Sequence, residues 1–349
     1  MTRKFGIVII LSILSVNILL AQKDFILRLN GQWKFSIGDN TDWAEPGFED
    51  TQWESINVPS TWEDQGFFGY DGYAWYRKTF STVKDMRNKD IYISLGYIDD
   101  VDQVYVNGKL IGFSGTFPPH FSTVYESLRV YPVPSEFLNF QGNNVIAIRV
   151  YDHHMSGGII SGDIGFFTYR TFKPEISMNG LWEFKAGDNA IFKDPTYNDK
   201  NWKQIVVPGN WKNQGYKEFN GIAWYRKNIV ISDEYEKEKL IFVVGKIDHC
   251  DEVYINGELI GKTSEIPQIS AKKDTIGTCN EVECSKPRVY LIPENLIRIN
   301  KENTVSIRVY NIQFRGGLVD GPVGIVKLST YNRFLKEKGE NDNTWPAIP

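Results

Sequence analysis

Apolar residues in this chain come in short runs that alternate with polar ones, and Gly, Pro, Asn or Asp closes each run. Helical spacing of apolar positions is scarce, so the chain is expected to be all-β. Val101 to Val106, then Asn107-Gly108, then Lys109 to Ile111 reads as a hairpin, because Asn-Gly accepts the positive φ angles of a two-residue turn. Val253 to Ile255, Asn256-Gly257 and Glu258 to Ile260 read as a second hairpin of the same kind. In the run Val145 to Tyr151, Ile146, Ile148 and Val150 share one face. Ala147, Arg149 and Tyr151 share the other, which is expected to look toward water or a cleft. Many short strands with close turn signals suggest a two-sheet sandwich of the jelly-roll type.

The same pattern occurs twice. Val58 to Lys78 (VPSTWEDQGFFGYDGYAWYRK) returns 149 positions on as Val207 to Lys227 (VPGNWKNQGYKEFNGIAWYRK). Asn30-Gly31-x-Trp33 matches Asn179-Gly180-x-Trp182 at the same offset. After Gly112 and Gly261 the second copy gains ten residues, and Arg129-Val130-Tyr131 then matches Arg288-Val289-Tyr290 at an offset of 159. A repeat this long means two whole domains rather than a solenoid. The expected division is 1–22 leader, 23–173 first sandwich, 174–335 second sandwich and 336–349 a polar, loosely ordered tail. Lys173-Pro174 marks the boundary between the copies.

Arg3 and Lys4 precede an apolar stretch, Phe5 to Leu20, and Ala21 offers a cleavage point, so residues 1–22 read as a signal peptide. The stretch is interrupted by Ser12, Ser15 and Asn17 and is too short to span a bilayer comfortably. A secreted or periplasmic protein without a transmembrane segment after leader removal is expected. The net charge of −4 gives no basic footprint for nucleic acid. Ten Trp and eighteen Tyr, rings with a polar edge, point instead to aromatic binding surfaces.

Three cysteines, Cys250, Cys279 and Cys284, all lie in the second copy. Three single pairings are open, and the short loop between Cys279 and Cys284 favours that one in an oxidising compartment. No histidine stands at ligand spacing from the pair, so no metal site is expected there. Asp99, Asp100 and Asp102 cluster in the first copy, and the second has Asp248, His249 and Asp251 in their place. A turn or a bound cation accounts for this better than a catalytic acid pair. No cofactor is expected beyond a structural calcium ion. His153-His154 becomes Ile312-Gln313, and adjacent histidines on an extended strand point apart, which argues against a metal dyad.

In Ala74 to Phe80, alternation puts Tyr76 and Phe80 on one face and Trp75, Arg77 and Thr79 on the other. Trp224 and Arg226 repeat the second face. Two readings stay open: a Trp that stacks on a pyranose while Arg donates to its hydroxyls, or a structural cation–π pair. Trp33, Trp53, Trp182 and Trp202 read as core.

The ordered set LNGxWxF, VPxxW, GxAWYRK, DxVYVNG, NxxxIRVY and GG resembles the N-terminal sugar-binding domain of family 2 glycoside hydrolases, such as β-galactosidases and β-glucuronidases. The resemblance implies a galactose-binding-like jelly roll in each copy. It also implies that the loop before the GxAWYRK strand approaches a sugar, which points to Trp62, Glu63, Tyr70 and Asp71 in the first copy. Trp211, Tyr216 and Phe219 are the counterparts in the second. Glu63 becomes Lys212 and Asp71 becomes Asn220, so the copies cannot bind one group identically. A (β/α)₈ barrel needs about 200 residues or more, and the sandwiches already occupy the chain. The expected function is therefore non-catalytic binding of an oligo- or polysaccharide. The alternatives are a family 2-like hydrolase, an accessory to a separate catalytic chain, or a protein-interaction module.

Overall fold

The computed structural model describes residues 23–169, 171–264, 266, 286–311, 315–338 and 344–348. The leader and the Cys279–Cys284 pairing lie outside the described residues. Among the described residues no helix is long and apolar enough to cross a membrane.

Ten strands form the first half: β1 (Lys23–Arg28), β2 (Gly31–Ile37), β3 (Glu54–Val58), β4 (Gly72–Ser81) and β5 (Ile91–Asp99), followed by β6 (Val101–Val106), β7 (Lys109–Ser114), β8 (Leu128–Val133), β9 (Asn143–Asp152) and β10 (Gly158–Tyr169). They build a four-stranded sheet in the order β1-β10-β5-β8 and a six-stranded sheet in the order β3-β2-β4-β9-β6-β7. The second half continues with β11 (Ile176–Ser177), β12 (Gly180–Ala186), β13 (Lys203–Val207), β14 (Gly221–Val230), β15 (Leu240–Asp248) and β16 (Cys250–Ile255). Then come β17 (Glu258–Lys262), β18 (Arg288–Leu291), β19 (Glu302–Asn311), β20 (Gly317–Asp320), β21 (Gly324–Lys327) and α1 (Leu328–Lys338). Its six-stranded sheet, β13-β12-β14-β19-β16-β17, repeats the first, and β11-β21-β15-β18 with β20 beside β15 repeats the other.

Each half is a sandwich whose core joins both sheets. Ile146, Ile148 and Val150 of β9 meet Ile93 and Leu95 of β5 and Phe166 of β10. Val305, Ile307 and Val309 meet Phe242, Val244 and Ile325 in the second half. Both Asn-Gly hairpins form, with Asn107 and Asn256 at φ of 49° and 52°. The recurring Gly-Gly pair has a packing cause as well. A Cβ at Gly157 would stand 2.0 Å from the Trp62 ring, and one at Gly316 would stand 2.4 Å from Trp211. The VPxxW tryptophan and the Gly-Gly pair therefore recur as two sides of one contact.

The outer face of each six-stranded sheet is not open to water. After β2 the chain folds back over it, so that Trp43, Ala44 and Trp53 cover Trp75 and Ala147. Phe192 and Trp202 cover Trp224 in the same way. The end of the chain also differs from the expected loose tail. Residues 336–338 complete α1, and Trp345 packs edge-on against Phe172 at 5.3 Å. The Tyr331 hydroxyl donates to the Pro346 carbonyl at 2.6 Å. The halves touch: Gly115 N–H donates to the Asn213 carbonyl at 2.7 Å, and the Asn179 side chain donates to the Tyr92 hydroxyl at 3.0 Å.

Candidate functional site

The GxAWYRK face is a polar skeleton, not a binding face. Trp75 and Arg77 are 0% and 1% exposed, and Trp224 and Arg226 are each 1% exposed. Arg77 donates to Asp50 Oδ2 at 2.8 Å, to the Glu45 carbonyl at 3.1 Å, to the Phe48 carbonyl at 3.3 Å and to the Trp43 carbonyl. Arg226 makes the matching bonds to Asp199, Asp194, Tyr197 and Phe192. These arginines pin the covering loops by satisfying carbonyls that would otherwise be buried without donors. Trp75 Nε1 donates to Asp39 Oδ1 at 3.1 Å, and Arg149 binds the same carboxylate from β9. Burial pushes the Asp39 carboxyl up, but the bonds from Arg149 and Trp75 outweigh it and hold the pKa below the ordinary value. Trp224, Arg308 and Asp188 repeat the arrangement. Strand alternation identified the side correctly. It could not show that a loop closes over that side.

Trp62 and Trp211 are likewise 0% exposed and belong to the main cores. Tyr70, Tyr216 and Phe219 lie half-buried against those cores. The Tyr70 hydroxyl donates to the Tyr73 carbonyl at 2.7 Å. The Glu63 carboxylate accepts the Gly157 N–H at 3.2 Å, and Asp71 is exposed. Of the eleven ligand-binding candidates, Glu63, Tyr70 and Asp71 remain at a surface that a ligand could approach in the first sandwich. Asp102 separates from its sequence neighbours. It is fully buried and accepts from Arg129 Nε at 2.7 Å and from the Tyr131 hydroxyl at 2.6 Å. Asp251, Arg288 and Tyr290 form the same core group, which explains why this aspartate recurs. Cys250 is a buried free thiol.

A different constellation gathers at one end of the first sandwich, where β4 begins and β5 and β9 end. Register places Tyr73 of β4 opposite Tyr151 of β9, and their rings lie 4.7 Å apart. Phe117, from the loop after β7, lies parallel to Tyr73 at 5.8 Å and an interplanar angle of 5°. Phe121 from the same loop meets Tyr151 at 5.6 Å and His153 at 5.0 Å. The Arg149 guanidinium sits 4.7 Å from the Tyr73 ring and 4.4 Å from Phe117. All four aromatic rings are half-buried, and His153 and His154 are exposed, so this is a stiff aromatic ridge open along its edge. Beside it, Asp99, Asp100 and Asp152 bring carboxylate oxygens within 4.8 Å of one another.

The ridge was not among the sequence candidates. One usable signal was its divergence between copies: Tyr73 becomes Ile222, which is buried, and His153-His154 becomes Ile312-Gln313. Arg149 and Tyr151 recur as Arg308 and Tyr310, so only part of the ridge differs between the copies.

Fold and rim together define an all-β module of two antiparallel sandwiches with a loop-built aromatic surface at one end. Residues 38–156 match the family model for the beta-galactosidase second all-beta domain. The chain is 29% identical over 133 residues to the beta-galactosidase BoGH2A of Bacteroides ovatus, covering 35% of this chain and 15% of that protein. It is 34% identical over 135 residues to a putative beta-glucuronidase of Formosa agariphila, covering 35% and 12%. A Clostridium acetobutylicum beta-galactosidase is 27% identical over 246 residues, covering 59% of this chain and 26% of its own length. Among solved structures, Bacteroides uniformis beta-glucuronidase 2 aligns over 87% of this chain and 31% of its own at 15% identity and a TM-score of 0.37. By sequence, the chain resembles a non-catalytic sandwich region of family 2 glycoside hydrolases. It spans 12–15% of the first two relatives.

Proposed function

We propose that this chain is an exported carbohydrate-binding protein that holds a glycan on the aromatic rim of its first sandwich and does not itself cleave it. The observation that carries this reading is the ridge of Tyr73, Phe117, Tyr151 and Phe121 with Arg149 against it. Flat rings with a few fixed polar groups suit a sugar, whose axial C–H face is apolar and whose hydroxyls need partners. Glu63 and Asp71 supply acceptors at the edge.

The acidic groups support binding over hydrolysis. A glycosidase sets two carboxyls on either side of the scissile bond, about 5–9.5 Å apart, with access to the sugar. Asp100 and Asp152 are instead buried and tied to the backbone: His153 N–H donates to Asp100 at 3.0 Å, and His154 N–H donates to Asp152 at 3.3 Å. Export rests on the leader-like residues 1–22. Calorimetric titration with oligosaccharides that end in β-galactosyl or β-glucuronosyl units tests the reading. Saturable heat from folded protein supports it, and no heat across the panel counts against it.

The similarity to beta-galactosidases and beta-glucuronidases favours a second reading, in which the chain works beside a catalytic polypeptide as an accessory. Steady release of nitrophenol from a nitrophenyl β-galactoside by the pure chain would replace both readings with a hydrolase.

A further inference from the structure

We propose that Asp99, Asp100 and Asp152 form a calcium-binding site that joins the ends of β5 and β9 beneath the aromatic rim. Three carboxylates from three chain positions offer oxygens that all lie within 4.8 Å of one another. Two oxygens bound to one calcium ion can stand no further apart than about 4.6–5.2 Å, twice the usual Ca–O distance, so one ion can reach all three groups. Oxygen donors alone, with no sulfur or imidazole ligand among them, suit a hard cation.

A second observation points to the ligand. Asp152 is 0% exposed, and its Oδ2 is buried without a hydrogen-bond partner, while Oδ1 accepts from His154 N–H at 3.3 Å. A bare buried carboxylate oxygen is strongly unfavourable unless a counter-charge or a proton meets it. Among the described residues the nearest cation is Arg129, which attracts Asp99 but spends its donors elsewhere. Thr123 donates to Asp100 Oδ1 through its hydroxyl, and Arg129 is committed to Asp102 and to the carbonyls of Ile98 and Asp100. Glu63 and Asp71 add negative charge.

The second sandwich serves as an internal comparison. Its counterparts are Asp248, His249 and Asn311, so two of the three carboxylates are gone. His249 Nδ1 lies 3.2 Å from Asp248 Oδ1, which puts an imidazole where the first copy has the Asp100 carboxylate. Asn311 Oδ1 is buried and unpartnered as Asp152 Oδ2 is, but it is neutral and calls for no counter-charge. The loop contact has also been reassigned. In the second copy Asp248 Oδ2 holds the Gly316 N–H at 2.9 Å, whereas in the first Glu63 holds the equivalent Gly157 N–H. Lys212 stands where Glu63 does. Glu63 thus relieves Asp99 of a structural duty and leaves its carboxylate available to an ion.

The test uses the whole chelator-stripped protein at about pH 8, where the carboxyls are ionised. Calcium is titrated by calorimetry, with magnesium as the comparison, and melting is followed with and without calcium. One saturable calcium site is expected, weaker for magnesium, together with a rise in Tm of about 5–10 °C at calcium a hundredfold above its Kd. Asp152→Asn should abolish both the heat and the shift. If that variant fails to fold, terbium luminescence of the unaltered protein, sensitised by the nearby tyrosines and displaced by calcium, supplies the readout. An equal calcium response in unaltered protein and Asp152→Asn would overturn the site. So would no response at millimolar calcium, which would mean that shared protons neutralise the cluster instead.

Discussion

Replacing Trp75 with alanine separates a scaffold role from a binding role. The indole is 0% exposed, stacks on Tyr105 at 5.8 Å, meets Trp43 edge-on at 6.2 Å and donates to Asp39. A tryptophan of this kind buries about 150–250 Å², which at about 25 cal/mol per Å² corresponds to roughly 4–6 kcal/mol. Large-to-small core substitutions of aromatic residues cost about 3–5 kcal/mol, in agreement. Asp39 keeps Arg149, so the lost hydrogen bond adds only about 1 kcal/mol. Against a typical stability of about 5–15 kcal/mol, the first sandwich should be left marginal. Urea unfolding followed by circular dichroism should show Trp75→Ala shifting the transition by several kcal/mol, while Trp75→Phe loses only about 1–2 kcal/mol. Normal stability in Trp75→Ala together with lost glycan affinity would refute the buried placement and restore the face as a ligand surface.

Two further outcomes follow from the same skeleton and its flanks. Arg226→Met should destabilise the second sandwich by about 3–5 kcal/mol in urea, because Asp199 and three carbonyls lose a buried cationic partner. Burial, opposed by Lys173, pushes the Asp90 carboxyl up to about 6, and its Oδ2 is buried without a partner. The fold therefore favours the protonated acid. That contribution is complete below the unfolded pKa near 4 and is lost as pH rises through about 6. Asp90→Asn should melt above the unaltered protein at neutral pH and match it near pH 4 (about the unfolded carboxyl pKa); a higher melt at both would show that charge is not the cause.

Much of the fold was legible because its signals are local. Asn-Gly turns, alternation in β9 and the repeated motifs lead directly to two sandwiches. The rim was not legible, because Phe117 and Phe121 lie far in sequence from Tyr73 and Tyr151 and meet them only when the loop after β7 folds across the end of the sheet. Trp75 and Arg77 were misplaced for a related reason: a period of two separates the faces of a strand, but it does not say which face a distant loop will cover. The closing helix had a readable signal in Leu328, Tyr331 and Leu335 at three- and four-residue spacing, hidden by the polar residues that follow it. Asp102 was grouped with Asp99 and Asp100 by adjacency, yet it points into the core to Arg129 while they end at the rim.

The most direct measurement is glycan affinity by calorimetry for the unaltered chain, Tyr73→Ala and Phe117→Ala, each first shown to unfold cooperatively in urea. Removing one stacking ring should lower affinity about tenfold or more, since a stacked aromatic contributes about 1–3 kcal/mol when removed, with modest loss of stability because both rings are only half-buried. Unchanged affinity in both folded variants would mean that the glycan, if bound, lies elsewhere on the molecule.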